Sequence, residues 1–333
     1  MATYRSIVGQ KIKKVTSDPS NPIEGQMWYN STSGSLKVHL TQAASWATGG
    51  TASTPRRLVA GAGIQTAALA VGGYPFPSGN STEEYDGSSW SNGGAYPGNP
   101  AYGIGLFGTQ TAAVGTGGYL FPPQSSTTAV YDYNGSSWTS GSGSLGTARN
   151  TQAATGTETS GLVFGGYTAY PTDTADVEEY NGTAFSEQNN LSSTRAEVAS
   201  ANQSPQTAAL CFGGNVVPRN TSIALTEEYD GTNWTTGGAL NTSRFGLAGG
   251  GTQTAAIAMT GSNSPPQTSV TNTELYDGSS WTNTTANATG RQQVGGGGTS
   301  TAGIVFLGSA ATLTHATEEF TGATLGTETV TTS

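Results

Sequence analysis

The sequence predicts an all-β fold, a ring of six four-stranded units behind a small N-terminal β module, and three observations carry that prediction. The first is composition: 49 Gly, 10% charged and 34% hydrophobic residues in a 333-residue chain make a poor helix former throughout. The second is punctuation. Short apolar runs such as Leu69-Ala70-Val71 and Leu162-Val163-Phe164 each stop at glycines, as strands do before turns, so a chain this polar still folds. The third is a repeat of about 47 residues.

An apolar run ending in Gly-Gly or its equivalent recurs at Gly72-Gly73, Gly117-Gly118, Gly165-Gly166, Gly213-Gly214, Thr260-Gly261 and Leu307-Gly308, in steps of 45, 48, 48, 47 and 47. Within each period four strands can be placed. Strand a follows an arginine in the later repeats (Arg149, Arg195, Arg244, Arg291) and leads into a hairpin tetrapeptide such as Gly108-Thr109-Gln110-Thr111. Strand b is the apolar run. Strand c is acidic and ends in an aromatic, as in Glu83-Glu84-Tyr85. An Asp-Gly or Asn-Gly pair follows, the dipeptides of a type I′ turn with both central residues at positive φ. Strand d then starts at Trp90, Trp138, Trp234 or Trp281. Two repeats are degenerate, with Phe185 and Leu325 where the Trp is expected.

Double glycine after an apolar strand, with spaced Tyr and Trp, resembles the kelch repeat over roughly residues 50 to 331. The resemblance implies a six-bladed kelch-like β-propeller, with repeats at about 50–95, 96–143, 144–190, 191–239, 240–286 and 287–331. The expected domains are an N-terminal module over 1–44 and a propeller over 45–333. Ser45-Trp46-Ala47-Thr48 reads as a strand d with no repeat of its own, expected to pair near the last repeat and lock the ring. Leu325 to Val330 is the other segment that could serve as the sixth strand d.

Residues 1–44 lack the repeat. Gly25-Gln26-Met27-Trp28-Tyr29-Asn30, a polar turn, then Leu36-Lys37-Val38 read as two short strands. The segment is similar to a small element of phage tail-fibre and other virion proteins. It is either a cap on the propeller or a docking element; docking through Lys11, Lys13, Lys14, Trp28 and Tyr29 is the expectation. All four Lys (Lys11, Lys13, Lys14, Lys37) precede residue 40, which separates a basic start from an acidic body.

A formal net charge of −9 argues against nucleic acid, whose phosphates need a cationic surface. No stretch approaches the roughly 18 apolar residues of a membrane span, and Met1 to Lys14 lacks the apolar core of a signal peptide. Catalysis needs a convergent nucleophile, base or metal cluster. With only His39 and His315 and a single Cys211 in an apolar run, neither a metal set nor the paired His and Tyr–Cys of a kelch-type copper oxidase is expected. No enzyme activity and no cofactor are therefore expected.

Acidic strand-c residues (Glu84, Asp132, Glu179, Glu228, Glu319) and the arginines recur once per repeat. They read as structural polar contacts or, alternatively, as a charged channel lining for a cation or sugar. The b-to-c loops vary and carry Pro with aromatics, which suits carbohydrate or protein surfaces. Phe76, Phe121 and Tyr170 are the candidate contacts. The expected role is a phage virion protein, a tail fibre, appendage or capsid decoration, that contacts other virion proteins through its N-terminal module and binds a bacterial surface glycan or protein. The alternatives are a purely structural virion component and, further off, a carbohydrate-active enzyme.

Overall fold

The computed structural model describes residues 12–76, 78–98, 101–169, 171–216 and 221–330. The chain divides into two compact units, residues 46–321 and residues 1–45 with 322–333. Among the described residues the helical structure is one turn, Ser78–Asn80, and no helix is long and apolar enough to cross a membrane.

The larger unit holds six four-stranded sheets, one for each repeat. In the first, strands a to d are Ala60–Ile64, Ala67–Val71, Thr82–Tyr85 and Trp90–Asn92, paired antiparallel in that order. Four more sheets follow the same plan and end on Trp138–Ser140, Phe185–Glu187, Trp234–Thr236 and Trp281–Asn283. The sixth takes Gly295–Gly298, Ala302–Phe306 and Thr317–Thr321 as strands a to c, and Ser45–Thr48 as its outer strand. Trp46 thus supplies the aromatic that the sixth repeat lacks: its ring lies 5.2 Å from Phe320 and its indole N–H donates to Thr285 O at 2.9 Å.

The segment Leu325 to Val330 is not a sixth strand d. Thr324–Thr329 pairs antiparallel with Ser35–Gln42 in the smaller unit, so residues 322–333 group with the N-terminal residues and not with a domain running from 45 to 333. The physical reason is that Trp46 already fills the outer position on Phe320, while the Thr-rich terminal strand buries little and suits a sheet edge.

Each sequence mark has a mechanical explanation. In the a–b hairpin, Gly63 sits at φ +87°, and a Cβ there would stand 2.2 Å from Ala67 O. Gln65 then donates to Gly303 O and Phe320 O of the preceding sheet, at 3.1 and 2.9 Å. Gln110, Gln206 and Gln253 repeat that clamp; Glu158 and Ser300 hold the position in the third and sixth repeats and have no amide to offer.

The c–d turn differs from the type I′ expectation. Tyr85 faces Trp90 across a four-residue loop in which Gly87 alone is left-handed, while the Asp86 carboxylate accepts from the backbone N–H of Ser88 and Ser89, both at 2.8 Å. The Asp caps the turn through its side chain and so keeps an ordinary φ. At the Gly-Gly mark, Thr260 and Leu307 adopt φ of 55° and 60°, close to the 60–68° of the glycines they replace, so the geometry is retained.

Sheets are joined by side chains. Trp90, Trp138 and Trp281 donate to Thr317, Thr82 and Thr226 of the preceding sheet at 2.9 Å. The hydroxyls of Tyr85, Tyr133, Tyr229 and Tyr276 donate to Glu319, Glu84, Glu179 and Glu228 at 2.5–3.0 Å. Burial, and secondly the adjoining carboxylate, pushes the Tyr85 and Tyr276 phenols up to about 12. The arginines pair with the neighbouring acid instead: Arg56–Glu83, Arg149–Glu178, Arg195–Glu227, Arg244–Glu274 and Arg291–Glu318, every guanidinium fully buried. Adjacent strand residues face opposite sides, which is why two acids in sequence take two partners.

The strands a line a narrow axial space of about 100 Å³ whose walls are mostly Gly, Ala, Val and Leu, not the charged lining considered above. A Cβ on Gly61 would come within 2.5 Å of Gly296 N, so the glycine-rich strand Gly295–Gly298 lies where backbones approach most closely. Above this, one backbone N–H per repeat donates to the carbonyl of the previous repeat: Leu58 to Gln293, Gly103 to Leu58, Thr151 to Gly103, Glu197 to Thr151, Gly246 to Glu197 and Gln293 to Gly246, at 2.6–3.1 Å. The six bonds form a closed circle.

In the smaller unit Lys13–Val15 pairs parallel with Met27–Asn30, which pairs antiparallel with Ser35–Gln42. Asp18 accepts from Trp28 Nε1, Asn30 Nδ2 and Lys37 Nζ at 2.9, 2.7 and 2.6 Å. The Lys37 bond first, then those from Trp28 and Asn30, hold its carboxyl at about 2.

Candidate functional site

Each strand b is followed by a short excursion on the face that carries the circle of hydrogen bonds. Single bridges, Arg57 to Tyr74 and Asn150 to Tyr167 among them, tie five of these excursions to the segment leading into strand a of the same repeat. In the second repeat Tyr119–Leu120 pairs with both Ser125–Ser126 and Ala101–Tyr102, and that register places Tyr119 opposite Tyr102.

Their rings consequently stack at 5.2 Å, and Phe76 stacks on Phe121 at 4.9 Å with 10° between planes. Tyr74 stands edge-on to both Phe76 and Tyr102, with the Arg57 guanidinium 5.3 Å above its ring. These five aromatics with Pro75 and Gln124 line a cleft of about 370 Å³. Tyr74 and Phe121 keep about two-fifths of their surface exposed, at 40% and 41%. Exposed aromatic clusters of this kind are a common feature of binding surfaces.

Tyr102 and Tyr119 are also the wall of a second hollow of about 330 Å³, completed by Leu58, Asn150, Thr151, Tyr167, Glu197 and Gln293. Beside its three tyrosines it carries the polar side chains of Asn150, Thr151, Glu197 and Gln293. Gln293 Nε2 donates to Glu197 Oε2 at 3.1 Å, Asn150 Nδ2 to Ser126 Oγ at 2.8 Å, and Tyr167 OH to Asn215 Oδ1 at 2.8 Å.

No family model matches the chain, and no curated protein matches it. Among solved structures the chain is similar to YjhT, at a TM-score of 0.66 and 13% identity, over 84% of this chain and 99% of that one. The fold is propeller-like.

On this propeller-like fold, Phe76 and Phe121 come together in one cleft, whereas Tyr170 lies outside the described residues. Tyr102, Tyr119, Glu197 and Gln293 were not legible as site residues. The available signal was positional: Glu197 and Gln293 stand two residues after Arg195 and Arg291. Of the docking candidates, Lys11 is outside the described residues, Lys13 and Lys14 are exposed, and Tyr29 is 38% exposed. Trp28 is a correction: it is fully buried and bonded to Asp18, because alternation along Met27–Asn30 turns it inward and Tyr29 outward. Among the described residues no three His, Cys, Asp or Glu gather to hold a metal ion, and burial pushes the Cys211 thiol up to about 12.

Proposed function

We propose that this chain is a six-bladed, kelch-like β-propeller of a phage virion, a tail fibre, appendage or capsid decoration, that attaches through its N-terminal module and binds a bacterial surface glycan. The aromatic cleft of Tyr74, Phe76, Tyr102, Tyr119 and Phe121 carries the glycan reading. A sugar ring offers a face of C–H bonds that lies flat on an aromatic face, and a rigid aromatic surface loses little conformational entropy on binding it. Six four-stranded sheets and one circle of six backbone bonds support the blade count.

Attachment through the N-terminal module is supported by the apolar surface of the smaller unit, where Ile23, Tyr29, Leu40, Leu325 and Val330 are 37–73% exposed. Binding is favoured over hydrolysis: glycosidases use two carboxylates, roughly 5–9.5 Å apart, and one carboxylate, Glu197, lines the two hollows among the described residues.

Adhesion of the purified chain to host cells, compared with Phe76→Ala and Phe121→Ala variants of unchanged melting temperature, tests the glycan reading. Loss of adhesion in both variants, with cleft loops facing solvent in a cryo-EM map of the particle, is the expected result. Loops buried in the assembly would make the chain a purely structural component.

A further inference from the structure

The six residues whose backbone groups close the circle, Leu58, Gly103, Thr151, Glu197, Gly246 and Gln293, all take left-handed φ between +51° and +63°. Two are glycine, so the geometry asks for no side chain there, and any other residue raises the energy of the folded chain. The chain nevertheless keeps Leu58, Thr151, Glu197 and Gln293, and all four line the second hollow. Non-glycine residues that persist in strained conformations gather at binding sites.

Gly246, between Glu197 and Gln293 in the circle, leaves them room to meet. A Cβ there would stand 3.2 Å from Glu197 Oε2 and 3.0 Å from Gln293 N. Gln293 donates its amide N–H to Glu197 Oε2 at 3.1 Å, while its Oε1 is a buried acceptor with no partner among the described residues. Among the described residues Glu197 is the one charged residue lining either hollow, and the Arg57 guanidinium is set over the Tyr74 ring.

We infer that the two hollows are one extended site for a neutral oligosaccharide of at least two residues, lying across Tyr102 and Tyr119. One sugar stacks in the aromatic cleft. The next lies over the axis, where Glu197, its carboxylate held by Gln293 Nε2, accepts hydrogen bonds from its hydroxyls. Acidic sugars are disfavoured, because their carboxylates would face Glu197 with no cation on the walls. The inference rests on the glycan-binding reading and specifies its ligand.

The test is calorimetric titration of the full chain with β-linked glucose and N-acetylglucosamine oligomers of one to six units, and with glucuronate-containing oligomers of the same lengths. Affinity should rise from one unit to two or three. Glu197→Gln should weaken the neutral oligomers roughly tenfold, the size of a lost charge-assisted hydrogen bond, and narrow their advantage over the glucuronate series. Phe121→Ala should weaken every oligomer, with both variants melting at the parent temperature. If Phe121→Ala abolishes binding while Glu197→Gln changes neither affinity nor preference, the extended site is wrong and the glycan-binding reading stands. If no oligomer binds, or Phe121→Ala also has no effect, both fall.

Discussion

Five repeats bury an arginine against a glutamate; the second repeat does not. Where the first has Arg56 and Glu83, the second has Ala101 and Tyr131, and the fully buried Tyr96 fills the vacated space, its ring edge-on to Tyr131 at 5.1 Å and to Trp138 at 5.0 Å. Both solutions are imperfect. Each of the five guanidinia keeps one nitrogen without a partner among the described residues, and so does the Tyr96 hydroxyl. Desolvation pulls Arg244 down to about 10 against the opposing pull of Glu274. What the position requires is therefore filled volume, and the charges are needed only because each partner would otherwise be left alone.

The largest effect should come from breaking one pair. Arg195→Met leaves Glu227 buried and unpaired and should cost about 3–5 kcal/mol, read as a lower urea midpoint at unchanged slope. Transplanting the second repeat's solution into the fourth, as Leu191→Tyr with Arg195→Ala and Glu227→Tyr, should recover most of that loss, ending within about 2 kcal/mol of the parent. A triple variant no more stable than Arg195→Met would mean that the ion pair itself is required.

A smaller gain is expected where the third repeat departs from the second. Glu158→Gln supplies the clamp that Gln110 provides, and two added hydrogen bonds should stabilise by about 1 kcal/mol in the same titration. An unchanged midpoint would show that the clamp contributes nothing.

The smallest effect concerns acid. Asp86, Asp230 and Asp277 occupy the turn position that is Asn134 in the second repeat, and backbone N–H groups of Ser89, Asn233 and Ser280 are the first cause of their lowered pKa, about 2 for Asp86 and Asp277. A depressed folded pKa means that the native chain binds fewer protons than the unfolded one between about pH 4 and 2. The stabilisation is present above that window and is lost as pH falls through it. Replacing all three by Asn should shrink the drop in melting temperature between pH 4 and 2.5; equal drops would clear the turn carboxylates of any part.

The repeat, its strand order and the Arg signature were readable because glycines, a Trp and a Tyr return in register. The partner acid was not, since Glu83 and Glu84 differ only in which face of the strand they occupy. The aromatic cleft was half readable. Phe76 and Phe121 stand out in their loops, but Tyr102 joins them only through a pairing with Tyr119 that no local pattern encodes. Glu197 and Gln293, in different repeats, meet only because the circle brings their backbones together.

The two units are each finished by a strand from the opposite end of the chain: Ser45–Thr48 completes the sixth repeat, and Thr324–Thr329 completes the N-terminal sheet. During synthesis, the ring's last outer strand therefore emerges first and waits until the sixth repeat has left the ribosome. Closure joins residues separated by most of the sequence, the slow kind of contact, so assembly should lag behind formation of the individual sheets. In that interval the strand Ser45–Thr48 is without its sheet and open to other chains, and a nascent chain stalled before its final repeat would be an aggregation seed.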